Sequence, residues 1–357
     1  MNTKVLKLAT NNMISMLASS LYLRTGIDFT YPTQVVVQIN ETCNSKCVIC
    51  DTWRGKRKEE ITVQAWIEGI KKLKDAIGNY KISFVGGEVF LKNGIFDILE
   101  ACHKEGVIFG ITTNGILLNK ENVERYISLD PFNVNISFDS LKHDVYESIR
   151  GVPCLDIIKS NIEYLIDYKQ KVGSNIKITL KTVVNNLNLQ ELEDIAKYVN
   201  YVGVDFITFD PIKRKRDFFR HSVVSEIEER FEEMYNMDKT VLSGVIAKLK
   251  EMKKAGYKIM NSEQNMDQWL DYDNLTINNI CTVPLRSLLI DPSGDIRLCD
   301  YIDTKIGNIQ NKNLKAELKS SSTRKTKQSM VRCKHPCVYC IKRSFTDYVR
   351  LFRTFVS

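Results

Sequence analysis

No apolar run in this chain is long enough to span a bilayer, no internal repeat or low-complexity tract interrupts it, and its four histidines form no metal-ligand grouping. A membrane-spanning protein, a solenoid and a histidine-built metal centre are set aside on those grounds. The many lysines and arginines are scattered, without the aromatic interleaving that single-strand binders use, so nucleic acid is not expected as a partner. Acidic residues are missing from Met1 to Arg24, where Lys4 and Lys7 precede the short apolar stretch from Met13 to Leu23. That stretch resembles an export signal only superficially, because serines interrupt it. A helix packed on the main domain is expected there, and peripheral contact of residues 4–23 with an anionic membrane is a second reading.

What is present bounds the answer further. With 357 residues, 43% of them hydrophobic, the chain can bury a large core and hold one main domain plus an accessory one. Ten cysteines, most of them in two clusters, suit metal binding in a reducing compartment, and the cytoplasm is the expected location. A formal net charge of +8 favours anionic partners, among them phosphorylated small molecules and acidic lipid.

Strand-like apolar runs at Gln34 to Ile39, Lys81 to Val85, Val107 to Thr112, Asn133 to Phe138, Lys177 to Val184 and Asp205 to Phe209 alternate with helix-patterned segments such as Val63 to Leu73. Six such βα units make an incomplete parallel barrel, whose chemistry belongs at the C-terminal strand ends. The first strand runs into Cys43, Cys47 and Cys50, a C-x3-C-x2-C array. Three thiolates can bind three irons of a [4Fe-4S] cube and leave the fourth iron open for a small molecule. A zinc site is the competing use of the same thiols, although a lone triplet leaves its tetrahedron incomplete.

The array, at the end of a first strand, resembles the hallmark of the radical S-adenosylmethionine (radical SAM) superfamily. The resemblance implies a [4Fe-4S] cluster that holds SAM, reductive cleavage of SAM to a 5′-deoxyadenosyl radical, and hydrogen abstraction from a substrate. Gly86-Gly87-Glu88-Val89 is similar to the family's G-G-E-P segment, which contacts the SAM amino group, with Val89 in place of the proline. Asn114 lies in a T-N-G run, and Ser137 and Arg150 match residues that hold the SAM carboxylate, a task suited to the planar guanidinium. Ile49 stands where an aromatic residue is common, and Lys181 is a candidate for the barrel interior or an edge. The run Lys213-Arg214-Lys215-Arg216 is either a solvated face or an anchor for a phosphate.

A second cluster comprises Cys281, Cys299, Cys333, Cys337 and Cys340, with His335 among them. Asp291 to Asp295 reads as the turn of a hairpin delivering Cys299 near Cys281. The pattern resembles the SPASM and twitch extensions of radical SAM enzymes, which implies one auxiliary [4Fe-4S] cluster on four of the five thiols; a structural zinc is the alternative. Cys102 and Cys154 are expected to be packed, structural thiols.

The expected architecture is α/β, a partial (β/α)6 TIM-type barrel with a small C-terminal β-hairpin/α auxiliary-cluster domain. Its parts are an N-terminal helical segment (1–33), the barrel (34–216), a helical connector (217–280), the auxiliary domain (281–345) and a tail (346–357). The resemblance implies a small-molecule substrate, anionic or lipid-linked, and an electron donor such as flavodoxin or ferredoxin. The C-terminal spacing looks closest to the twitch type, which favours oxidation, epimerisation or dehydration of a sugar, polyol or envelope precursor. A peptide or protein maturase is the second reading. A non-catalytic metal-binding protein that grips nucleic acid is the third.

Overall fold

Val35, Val36 and Val37 carry the β-branched side chains that favour extended backbone, and strand β1 (Gln34–Gln38) forms over them with alternate residues buried. The structure, a computed structural model, describes residues 3–50, 52–54, 59–212, 225–270, 281–299 and 302–333. Cys337, Cys340, His335, the run from Lys213 to Arg216 and the tail 346–357 lie outside the described residues.

The chain divides into two compact units. The first comprises Met1–Glu41, Lys58–Ile111 and Thr276–Ser357, and the second Thr42–Arg57 and Thr112–Leu275. In the first unit β1, β2 (Lys81–Val85) and β3 (Ile108–Thr113) lie side by side and parallel. Helix α2 (Val63–Ile77) starts at Thr62, whose side chain accepts from Ala65 N–H, and buries Trp66, Gly69, Ile70 and Leu73. It packs on α3 (Ile95–Lys104). Val107 misses the strand expected for it because its N–H is spent on the carbonyl of Cys102 in the turn before β3.

The expected C-terminal hairpin forms, from β7 (Ser287–Ile290) and β8 (Asp295–Arg297). Asp291 shapes its turn, accepting from the N–H groups of Ser293 and Asp295 and pairing with Arg297 at 3.0 Å. Sequence did not reveal the partner of β7: it runs parallel to β1, Gln34 opposite Ser287, so the hairpin extends the sheet at the edge of β1. β9 (Gly307–Asn308) completes that edge.

The second unit holds β4 (Asn133–Ser137), β5 (Lys177–Val184) and β6 (Phe206–Pro211), also parallel. Helices α4 (Lys120–Ser128), α5 (His143–Arg150), α6 (Leu155–Lys171) and α7 (Leu192–Val202) connect or follow these strands. Asp205 precedes β6 instead of opening it, because its carboxylate accepts from Ile178 N–H and pairs with Lys169. Beyond β6, α8 (Ser225–Tyr235) and α9 (Lys239–Lys254) supply part of the helical segment expected after the barrel. The architecture is α/β with open, mainly parallel strands and antiparallel strands near the C-terminus. Among the described residues no helix is long and apolar enough to cross a membrane.

Candidate functional site

In the second unit the cysteine loop is held by the end of α5. Lys46 N–H donates to the carbonyl of Arg150 and Val48 N–H to that of Ile149, both at 3.1 Å. These carbonyls belong to the last helical turn, where no partner exists within the helix, so the loop satisfies them. Gly151 follows with φ of +70°, and a Cβ there would lie 2.6 Å from the Lys46 carbonyl oxygen. Val48 is buried with Ile149, Ile212, Phe231, Met234 and Tyr235, and Ile49 packs against the same cluster. The indole N–H of Trp53 and the guanidinium of Arg54 both donate to the Cys47 carbonyl.

Polar donors converge on the sulfurs. Ser45 N–H approaches Cys43 Sγ at 3.4 Å, and Asn114 Nδ2, donating to Asn44 Oδ1 at 2.7 Å and Ser45 Oγ at 3.2 Å, stands 3.9 Å from the same sulfur. Arg150 NH1 lies 3.7 Å from Cys47 Sγ, while its NH2 pairs with the fully buried Asp139 at 2.5 Å. Burial works against the charge of Arg150, but Asp139 and then the Cys47 sulfur outweigh it and hold the cation. Burial pushes the Cys47 thiol up to about 11, against the pull of Arg150. Asp139 accepts in turn from Val183 N–H at 2.7 Å.

The residues fit an anionic cluster with a bound amino acid. Cys43, Cys47 and Cys50 stand on one loop outside any disulfide, with N–H donors facing the Cys43 sulfur and a buried cation facing that of Cys47, which is how proteins balance thiolate-bound iron. Arg150 Nε is buried without a hydrogen-bond partner, so one donor of the guanidinium is left over. Among the described residues no three His, Cys, Asp or Glu side chains converge as a site for a single ion.

The expected SAM contacts divide between the units. Asn114, Ser137 and Arg150 belong to the second unit, with Asn114 and Arg150 each directed at a cysteine sulfur. Ser137 sits opposite Lys181, which sits opposite Thr208, on the half-exposed face of β4 to β6. Lys181 pairs with Asp210 at 3.4 Å. Gly86, Gly87 and Glu88 belong to the first unit, where much of their reach is spent on the chain itself. A Cβ on Gly86 would meet Asn40 Oδ1 at 2.4 Å, and Asn40 donates to the Glu88 carbonyl at 2.8 Å. The Glu88 side chain, 1% exposed, caps the short helix Val89–Leu91 by accepting from Phe90 N–H.

Cys281 and Cys333 come to one end of α10 (Ser321–Val331), Cys281 N–H donating to the Val331 carbonyl and Cys333 N–H to that of Met330. Cys299 follows β8 in the same unit. Cys102 and Cys154 are buried, and burial raises both thiols. Sequence reading missed Asn40 and Asp139, although both are polar residues placed just after a strand, the position from which a parallel barrel supplies its chemistry.

The Radical SAM superfamily model matches residues 37–199, and the model of the SPASM iron-sulfur cluster-binding domain matches residues 281–341. The chain belongs to the radical SAM superfamily. This radical SAM protein is 28% identical over 290 residues to an uncharacterized protein of Methanocaldococcus jannaschii, across 78% of this chain and 89% of that one. It is 27% identical to the GTP 3′,8-cyclase of Thermodesulfovibrio yellowstonii, across 84% of this chain and 89% of that enzyme. Matches to the probable GTP 3′,8-cyclase of Thermococcus kodakarensis and the GTP 3′,8-cyclase of Clostridium perfringens span only 54% and 64% of those proteins. Streptococcus suis SuiB bound to S-adenosylmethionine shares the fold, with a TM-score of 0.65 at 16% identity over 90% of this chain and 74% of SuiB.

The radical SAM protein is an enzyme whose radical SAM domain uses a [4Fe-4S] cluster and SAM, and whose SPASM domain carries auxiliary iron-sulfur. That membership removes the non-catalytic, nucleic-acid-gripping reading.

Proposed function

We propose that Cys43, Cys47 and Cys50 hold the SAM-binding cluster and that the enzyme abstracts hydrogen from a hydroxylated, sugar-bearing small molecule of anionic character. The chemistry that cluster and SAM supply when bound is one-electron cleavage of the sulfonium to a 5′-deoxyadenosyl radical. The protein's part is to bind and to orient. Ser137 and the unpartnered Nε–H of Arg150 donate to the SAM carboxylate, while Asp139 keeps the guanidinium charged and in place. The backbone of Gly86 and Gly87 offers its polar groups to the SAM amino group, and Asn114 steadies the loop at Cys43.

The observation that carries the substrate reading is the polar group of Lys181, Thr208 and Asp210, beside Ser137 on the half-exposed face of β4 to β6. Hydroxyl, ammonium and carboxylate groups side by side suit a ligand rich in hydroxyls, and the chain's net charge of +8 supports its anionic character. Relatives named GTP 3′,8-cyclase are named for a substrate of that kind. Four of the thiols Cys281, Cys299, Cys333, Cys337 and Cys340 hold one auxiliary [4Fe-4S] cluster, and a small redox protein of the flavodoxin or ferredoxin type supplies electrons.

The test begins with anaerobic reconstitution, iron counting and a dithionite-driven assay for 5′-deoxyadenosine. About eight irons per chain are expected. Nucleoside triphosphates and sugar nucleotides deuterated on the sugar are then supplied, and deuterium is sought in 5′-deoxyadenosine. Deuterium transfer, lost in Lys181→Ala while uncoupled SAM cleavage persists, supports the assignment. Transfer from peptides alone would replace it with the maturase reading.

A further inference from the structure

Helix α1 (Thr3–Thr25) is built the wrong way round for a helix that only braces a domain. The side it buries carries Leu8, Ser15 and Ser19, the last two 0% and 3% exposed. Their hydroxyls are bonded to the carbonyls of Tyr31 and Ser15, so this face is satisfied by polar contacts. Leu6, Met13, Ile14, Leu17 and Leu21 point to solvent, with Leu17 at 67%. At about 100° per residue these five fall within roughly a 100° sector, opposite the buried serines. Ile27 and Phe29 continue the exposed apolar surface beyond the helix. Of the eleven large hydrophobic side chains exposed among the described residues, these seven lie between Leu6 and Phe29.

The charge beside the stripe has one sign. Lys7 is exposed at one edge of the stripe and Arg24 at its C-terminal end, and no acidic residue occurs before Asp28, which is itself engaged by Lys327 at 3.3 Å. A second copy of the chain would bring cation against cation on such a face, whereas an anionic bilayer matches both the apolar stripe and its rim. We propose that α1 is a peripheral membrane anchor that lies in the surface plane of an anionic lipid bilayer. Independent of the reaction assigned above, this places the enzyme at a membrane surface. The stripe is too short and too interrupted to insert across the bilayer, so binding is reversible and salt-sensitive.

The experiment is flotation of the full-length reconstituted enzyme with vesicles of phosphatidylcholine, with and without about 30% phosphatidylglycerol, at low and high salt. The bound fraction is expected to fall at least about tenfold on omitting phosphatidylglycerol, and as far in Leu17→Glu. Thr10→Glu places a charge on the same exposed face without removing a packed side chain, and is expected to match it. Lys7→Glu with Arg24→Glu is expected to abolish the salt-dependent part. Helix content and uncoupled SAM cleavage should stay at wild-type levels in all of these variants. No flotation with anionic vesicles, or flotation that Leu17→Glu and Thr10→Glu leave unchanged, overturns the proposal. A vesicle-free dimer by sedimentation velocity, dissociated by Leu17→Glu, overturns it in favour of self-association.

Discussion

The loop from Cys43 to Cys50 and the turn from Gly86 to Glu88 both leave the C-terminal end of a parallel strand, yet they are held by different means. The loop borrows much of its shape from elsewhere: the last carbonyls of α5, the buried cluster around Val48, and the side chains of Asn114 and Arg150. The turn is held by near neighbours, with Asn40 filling the space over Gly86 and Glu88 capping the next three residues. Damage to a distant helix should therefore unseat the loop, whereas the turn should answer only to its own residues. A metal-binding loop that depends on remote contacts can be ordered before the metal arrives, which lowers the cost of assembling the cluster.

The largest effect expected is that of replacing Cys43, Cys47 and Cys50 together by alanine. SAM cleavage should fall by more than about a thousandfold, and iron should drop from about eight to about four per chain, as counted after reconstitution. Gly151→Ala is next, because it forces a Cβ onto the Lys46 carbonyl at a positive φ. A loss of roughly 2–4 kcal/mol in chemical denaturation is expected, with iron retention reduced at the loop. Gly86→Ala makes the sharper half of the comparison. It should cost a similar or smaller amount, roughly 1–3 kcal/mol, and leave the iron count intact while weakening SAM binding measured by calorimetry. Equal iron loss in both variants would erase the distinction between the two segments.

Asp139→Asn removes the counter-charge from a buried guanidinium. A destabilisation of about 3 kcal/mol is expected, together with a weaker KM for SAM and, in the reduced protein, an altered electron paramagnetic signal of the cluster. The smallest effect lies away from the loop. Burial alone would raise the Asp28 carboxyl, but hydrogen bonds from Thr30 and the charge of Lys327 more than offset it and leave it below the usual range. A depressed carboxylate contributes stability that is present above its unfolded pKa and lost as pH falls through its folded one. Lys327→Ala should therefore lower stability by roughly 1 kcal/mol at neutral pH and flatten the acid limb of the stability curve, read by urea unfolding across pH.

Much of this was legible in one dimension. The bounds of β2 and β5 match the apolar runs residue for residue, and α2 starts at Val63, where the helix-patterned segment begins. The thiol array could be read because its cysteines are close together in sequence. Arg150 was legible as a residue but not in its full surroundings: its pairing with Asp139 and approach to Cys47 join positions 11 and 103 residues apart. The exposed stripe of α1 could not be told from a buried one, since an apolar periodicity does not say which side meets the rest of the protein.

By itself, then, the sequence determined the alternation of strands and helices, the cysteine loop at the first strand end, the Asp291 hairpin turn and, through family resemblance, the class of chemistry. All of these rest on local spacing and local backbone preference. The pairing of β7 with β1, the seating of the loop on α5, the use of Gly86 by Asn40 and the outward face of α1 were decided only by the tertiary structure. Each depends on which distant groups compete for the same buried space and the same unpaired backbone donors and acceptors, and that competition is settled only when the chain is packed.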